Sequence, residues 1–276
     1  MKKLRTNVTI FLALALVVWV FQPVFAAPNL QPAKVINIHT GQAVASIVVP
    51  VQAIENSEAI IPLGSAFDNG REVQGFAMIH YKDNYAKPAG GGGKGNPEDS
   101  YYAFLAKGAK WKVTEPYVVA DDVDSALVAG DLETWDSQVT FNIFGDEDIF
   151  SQVDGADTNS PDGKNEVMFG EISDPGAIAV AIIWGIFGGP PQNRELVEWD
   201  AVFDNVDYLW GDGNQDPTVM DFENIATHEF GHAVGLSDLY GSQYSEQTMY
   251  GYATYGETKK RTLAIGDISG AKTLYK

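Results

Sequence analysis

The chain has no cysteine among its 276 residues. Disulfides, thiolate-bound metals and a cysteine nucleophile are therefore excluded. Basic residues are the second shortage: 18 Lys and Arg stand against 37 Asp and Glu, a formal net charge of −19. Nucleic acid and anionic membrane surfaces repel such a chain, so neither is expected as a partner. Histidine is scarce too, with only His39, His80, His228 and His232. Any metal must be held by these, by Asp or Glu, or by carbonyl oxygen. Aromatics are not short: at 12% of residues, with six Trp, they supply a sizeable core and argue against wholesale disorder.

Long apolar runs are confined to two places. Lys2, Lys3 and Arg5 precede the run Ile10–Phe21, and Val24-Phe25-Ala26-Ala27-Pro28 follows. A basic head, a short apolar middle and small residues at a cut site form an export signal, read as residues 1–26. Gln22-Pro23 stops the run short of the roughly 20 apolar residues that span a bilayer. An uncleaved signal-anchor is the alternative; after cleavage no stable membrane association is expected. The second run, Ala177 to Phe187, reads as a buried strand.

Residues 27–100 form an N-terminal segment with β-like text in Ala43–Val51 and Phe76–Tyr81, closed by a Gly-rich linker at 88–97. It reads as either a propeptide or a retained accessory module. Residues 101–276 form the second domain. Strands are expected at Trp111–Ala120, Gln138–Phe144, Glu166–Phe169, Ala177–Trp184 and Glu198–Phe203. Helices are expected within Asp121–Trp135 and over Glu223–Gly235 and Ala264–Leu274, the last carrying Ile265, Ile268, Ala271 and Leu274 at helical spacing. Strands grouped before helices indicate an α+β fold.

The most informative stretch is His228-Glu229-Phe230-Gly231-His232-Ala233-Val234-Gly235-Leu236-Ser237-Asp238. Two His at i and i+4 project from one helix face and reach one ion, while Glu229 flanks a metal-activated water as general base. A catalytic zinc takes three protein ligands. Gly235 permits a sharp turn out of the helix, after which Asp238 can swing back as the third.

This wording resembles the extended motif of metzincin metallopeptidases. Met249 in Gln247-Thr-Met-Tyr-Gly251 resembles their Met-turn, and its setting is most similar to that of matrixins. Asp162–Gly170, Ala179–Trp184, Glu198–Phe203 and Leu263–Tyr275 are similar to further matrixin pieces in order, so the resemblance covers about Tyr101 to Lys276. It points to microbial matrixin-type proteins. The resemblance implies a secreted, monomeric zinc endopeptidase acting on protein or peptide substrates. It implies a zincin fold: a twisted, mostly parallel sheet, two long helices and a small lower subdomain carrying Met249. It also implies that Ala177–Trp184 is the edge strand against which substrate backbone pairs.

Asp238 stands where the family usually has a third His, as in snapalysin-like enzymes; an anionic ligand leaves the metal less positive, and a higher pH optimum is expected. The thiolate latch of many matrixins cannot exist here. Because Tyr250 directly follows Met249, the tyrosine ligand of astacin-like and serralysin-like relatives has no matching position. Tyr252 and Tyr255 are candidates for the substrate pocket, with a core or rim role as the alternative. A thermolysin-like third ligand would have to be Glu246 or Glu257, neither in a helical pattern. Asp154, Asp157 and Asp162 in one acidic loop, and Asp212 and Asp216 in another, have the oxygen-rich chemistry Ca²⁺ takes; solvated loops built on Asx-turns are the alternative. His39 and His80 read as structural or surface residues rather than ligands or a latch. Two rival functions remain at this level: a non-catalytic binding protein with a structural metal, and a zinc amidase acting on cell-wall or small substrates.

Overall fold

The computed structural model describes residues 46–47, 59–83 and 101–276. The export signal at 1–26, His39 and the Gly-rich run at 88–97 lie outside the described residues. The described residues all belong to one compact unit, 33–276, and none of their helices is long and apolar enough to cross a membrane.

In chain order the strands are β1 (Ser46–Ile47), β2 (Ile60–Asp68), β3 (Arg71–Lys82), β4 (Ala103–Phe104), β5 (Glu115–Val119), β6 (Phe144–Glu147), β7 (Glu166–Ile172), β8 (Ala177–Ile186), β9 (Glu195–Asp204), β10 (Trp210–Gly211), β11 (Met220–Asp221), β12 (Leu236–Ser237) and β13 (Tyr252–Ala253). The helices are α1 (Ser125–Asp136), α2 (Phe222–Val234) and α3 (Ile265–Leu274). One sheet runs β13-β3-β8-β9-β7-β5-β6, with β2 pairing β3 and β1 pairing β7. β5, β6, β7 and β9 are parallel, whereas β8 is antiparallel to both β9 and β3. Most pairings in the sheet are parallel, and it is mixed because the tight β2–β3 hairpin and the short β8–β9 connection can join only antiparallel strands.

Two strands fall elsewhere than expected. Trp111–Ala120 shortens to β5, and Gln138–Phe144 is a turn that leads into β6. Both Asp136 carboxylate oxygens accept backbone N–H groups there, from Ile143 at 2.8 Å and Phe144 at 3.3 Å, which holds the chain in a bend after α1. The third correction concerns position. β8 is not an edge: Gln74–Tyr81 of β3 pairs along Gly185–Ala177 of β8, so the N-terminal hairpin covers the expected substrate edge.

Local chemistry explains the helices. Asp124 caps α1 through the backbone N–H of Ala126 (3.0 Å), and Asp221 caps α2 through that of Asn224 (2.9 Å). Gly235, at φ 108°, ends α2 in a left-handed turn that a β-carbon would strain. The helix α3 buries Gly266, Gly270, Ala271 and Leu274, a face one step round from the expected one, and Ile265 is exposed. Small residues are needed there because a Cβ at Gly266 would strike the Tyr101 carbonyl. The core is aromatic, with Trp135, Trp184 and Trp199 fully buried, and Phe169, Phe203, Trp210 and Phe222 clustered. Trp135 Nε1 donates to the Thr227 carbonyl at 2.8 Å, docking α1 onto α2 one residue before the first motif histidine.

Candidate metal centre

The helix α2 carries His228, Glu229 and His232, all fully buried. The turn at Gly235 reverses the chain through β12 and returns Asp238 to the same point. Asp238 Oδ1 lies 3.1 Å from His228 Nε2 and 3.5 Å from His232 Nε2. The far side of each imidazole is fixed: His228 Nδ1 lies 2.7 Å from the Thr248 carbonyl and His232 Nδ1 lies 3.0 Å from that of Leu236. A carbonyl only accepts, so each Nδ1 carries the proton and each Nε2 presents a lone pair. Both Nε2 atoms, Asp238 Oδ1 and Glu229 Oε2 have no hydrogen-bond partner although buried. Acceptors at such spacing repel one another unless a cation or proton sits among them. The donor set of two imidazoles and a carboxylate suits Zn²⁺. Tyr240 donates to Asp238 Oδ2 at 2.7 Å, leaving Oδ1 for the centre.

Burial sets the electrostatics. It would raise Asp238, but the two imidazoles override it and hold the carboxyl well below the usual range. Burial lowers His228 to about 4 and pushes Glu229 up to about 8. His232 is raised despite its burial, because Asp238 faces it.

Met249 is fully buried and lies against Gly231, where an added Cβ would overlap Met249 Sδ and crowd Trp135. Asp267 on α3 holds this turn, accepting from the backbone N–H of Thr248 at 2.8 Å and of Met249 at 3.2 Å. At the other end of α2, Arg261 pairs with Asp221, Asp212 (2.7 Å) and Glu223 (3.0 Å).

Sequence reasoning missed two residues at the centre. His80, on β3, is fully buried; its ring centroid is 3.8 Å from that of His228 and its Nδ1 is 3.1 Å from Glu229 Oε1. Lys260 is equally buried, with Nζ donating to the Tyr250 and Tyr252 carbonyls (2.6 and 2.7 Å) and 3.1 Å from His80 Nε2. Burial brings Lys260 down to about 8 and holds His80 well below its ordinary value. Neither residue carries a local sequence signal, since their partners are brought by sheet pairing. Of the pocket candidates, Tyr252 lies in β13 opposite Tyr81, and the Tyr255 ring sits under Lys82 Nζ at 4.7 Å. The alternative ligands are engaged elsewhere: Lys259 pairs with Glu246 at 3.5 Å and with Glu257 at 3.9 Å.

The five acidic-loop candidates do not converge on one point. Lys164 occupies the space between Asp154 and Asp162. Asp212 receives Arg261, and Asp216 accepts from Thr218. Asp157 instead joins Glu198 and Asp200 of β9, with ligand oxygens of the three within 4.8 Å of one another. The signal for this trio was present in the sequence as Glu198 and Asp200, two apart and hence on one face of a strand.

The packing of Met249 on Gly231 yields a test. Gly231→Ala is expected to lower stability by about 1–3 kcal/mol through overpacking and to weaken zinc retention. In a Met249→Ala background the same change should be milder than the two single effects summed. Thermal unfolding of the four proteins in the cycle checks this; strict additivity would contradict the contact.

Residues 190–276 match the family model described as Matrixin. The matched segment contains the His228–Asp238 motif, Met249 and α3, and leaves 101–189 outside it. No curated protein matches the chain. Over residues 190–276 the chain is thus similar to matrixins, and this likeness, with the donor set built within that segment, supports a matrixin-like zinc metallopeptidase of the metzincin type.

Proposed function

We propose that the protein is a secreted endopeptidase in which His228, His232 and Asp238 hold zinc and Glu229 is the general base. The observation that carries this is a cluster of three buried, unpartnered atoms, two imidazole Nε2 and one carboxylate oxygen of Asp238, with a further buried, unpartnered oxygen on Glu229, the residue next to His228. Zinc, when bound, supplies Lewis-acid polarisation of the scissile carbonyl and acidifies water. The remaining work belongs to the chain. The Thr248 and Leu236 carbonyls fix the imidazole tautomers, and Tyr240 fixes the orientation of Asp238. Glu229 takes a proton from the attacking water at Oε2 and delivers it to the departing amine. Met249 supports the floor beneath Gly231. The N-terminal signal supports export, and a protein or peptide is the substrate class.

A purely structural metal site has no use for a carboxylate left unpartnered beside the donors, which disfavours the binding-protein reading. A cell-wall amidase would share the same centre and is separated by substrate. Glu229→Gln is expected to retain about one zinc per chain and to lose 10²–10⁴-fold in kcat/KM on an unstructured protein substrate. The assay compares the whole chain and the chain cut within residues 84–100, with zinc determined on each. Equal activity in the variant, or absence of zinc in both proteins, contradicts the assignment.

We also propose that Asp157, Glu198 and Asp200 take a calcium-type cation. Glu198 is fully buried and its Oε1 has no partner. Burial beside Asp157 raises Glu198 from 4.5 to about 9, and burial also raises Asp200 well above its usual value. Without a cation the folded state must therefore bind protons that the unfolded chain releases. Stability in EGTA is then full below about pH 4.5 and falls as the pH rises toward 9. Millimolar Ca²⁺ is expected to flatten this dependence, and Glu198→Gln to remove much of it, both read from Tm against pH. A Tm that ignores both EGTA and pH contradicts the cation site.

A further inference from the structure

Cations are scarce in this chain, and several of them are gathered at one place. No acidic residue stands between Asp99 and Glu115, and Lys107, Lys110 and Lys112 fall within that stretch. The fold brings Lys276 beside the last two, so that Lys110, Lys112 and Lys276 line one cavity of about 470 Å³ with Trp111, Phe141 and Tyr275. Thr140 adds a hydroxyl, and no carboxylate side chain lines the space. In a chain of net charge −19 such a pocket runs against the composition.

Structural duties take up only part of these amino groups. Lys110 Nζ donates to the Leu274 carbonyl at 2.8 Å, closing the end of α3, and Lys112 Nζ lies 3.1 Å from Glu195 Oε2. Arg71 also holds that oxygen, at 2.7 Å, and the Lys112 side chain is 42% exposed. An ammonium has three donors, so each lysine keeps protons to give. The end of α2 does not call for them. There Trp111 Nε1 donates to the Ala233 carbonyl at 2.8 Å and the Tyr275 hydroxyl to that of Val234 at 2.9 Å. These two bonds build the pocket on the last turn of the helix that carries His232.

The walls select the ligand. Phe141 stacks on Tyr275 with ring centroids 5.6 Å apart and planes 16° from parallel, and Lys110 Nζ lies 5.7 Å from the centre of the Tyr275 ring. Aromatic surface beside amino groups takes carboxylates together with an aromatic side chain. A compact oxyanion such as phosphate leaves most of the volume empty and finds no guanidinium fork in the lining. A long polyanion runs beyond the pocket onto a surface of its own sign. A short acidic peptide stays inside, where charges further than about 8 Å away are screened at physiological salt.

We propose that this cavity binds an acidic peptide segment, seating its carboxylates on Lys110, Lys112 and Lys276 and an aromatic side chain against Phe141 and Tyr275. In a peptidase it serves as an exosite that favours protein substrates carrying an acidic stretch. That use rests on the peptidase reading, whereas the binding stands on the pocket alone.

The test uses the full, zinc-loaded chain and a fluorescent peptide Glu-Glu-Phe-Glu-Glu, with its Gln-for-Glu counterpart as the uncharged probe. Saturable binding of the acidic peptide alone is expected. Lys110→Gln, Lys112→Gln and Lys276→Gln together should weaken it about tenfold or more. Lys272→Gln, at an exposed position of α3 outside the lining, should leave it unchanged. If the triple variant unfolds, Lys112→Glu alone should still weaken binding about threefold. An unstructured protein with an acidic tail is expected to show about tenfold lower KM than the same protein without it. The triple variant should lose that difference at unchanged kcat. Acidic-peptide binding without turnover of either substrate keeps the site and sinks the peptidase reading. Equal KM for the two substrates overturns the exosite role. Turnover without acidic-peptide binding, equal binding of the two peptides, indifference to the lysine changes or displacement by millimolar inorganic phosphate overturns the site itself.

Discussion

Three buried acceptor atoms with nothing to accept from, His228 Nε2, His232 Nε2 and Asp238 Oδ1, are the constraint on which the rest depends. Lone pairs so placed are unfavourable in a dry interior unless a cation completes them. Everything nearby keeps them aimed. The Thr248 and Leu236 carbonyls hold the outer nitrogens, and Tyr240 holds the outer oxygen. Trp135 and Arg261 fix α2 near its middle and at its start. The donor atoms thus belong to a rigid frame, and binding a metal needs little rearrangement of the chain.

A second layer links metal floor and sheet. Asp267 anchors the turn that carries both the Thr248 carbonyl and Met249, so α3 supports the imidazole of His228 and the residue beneath Gly231 together. Lys260 spans from the Tyr252 carbonyl of β13 to His80 on β3. The zinc donors and Glu229 are wholly buried, with His80 of β3 packed against His228.

Legibility in the sequence followed the range of the interactions. The i, i+4 histidines and the glycine at the end of α2 are local patterns, and they placed the helix within one residue. Asp238 was legible because Gly235 allows the chain to return over three residues. His80 was not, since it meets Glu229 across 149 positions through the register of β3 on β8. The same long-range pairing removed the expected edge of β8, because apolar text such as AIAVAIIW states that a strand is buried, not what buries it. Acidic loops misled for a related reason: Lys164 and Arg261 take up carboxylates that looked free, while the trio with Asp157 is completed by β9. In α3 the small residues Gly266 and Gly270 shift the packing face by one step, so that Ala271 and Leu274 are buried as the apolar pattern states while Ile265 is not.

The central claim concerns which atoms meet the metal, and zinc K-edge absorption spectroscopy on the zinc-loaded full chain reads this directly. Two imidazole nitrogens with oxygen at about 2.0–2.2 Å are expected, unchanged by His80→Ala and reduced to one imidazole by His232→Ala. A shell of three imidazoles that loses one in His80→Ala would place β3 on the metal, and a shell indifferent to His232→Ala would contradict the centre altogether.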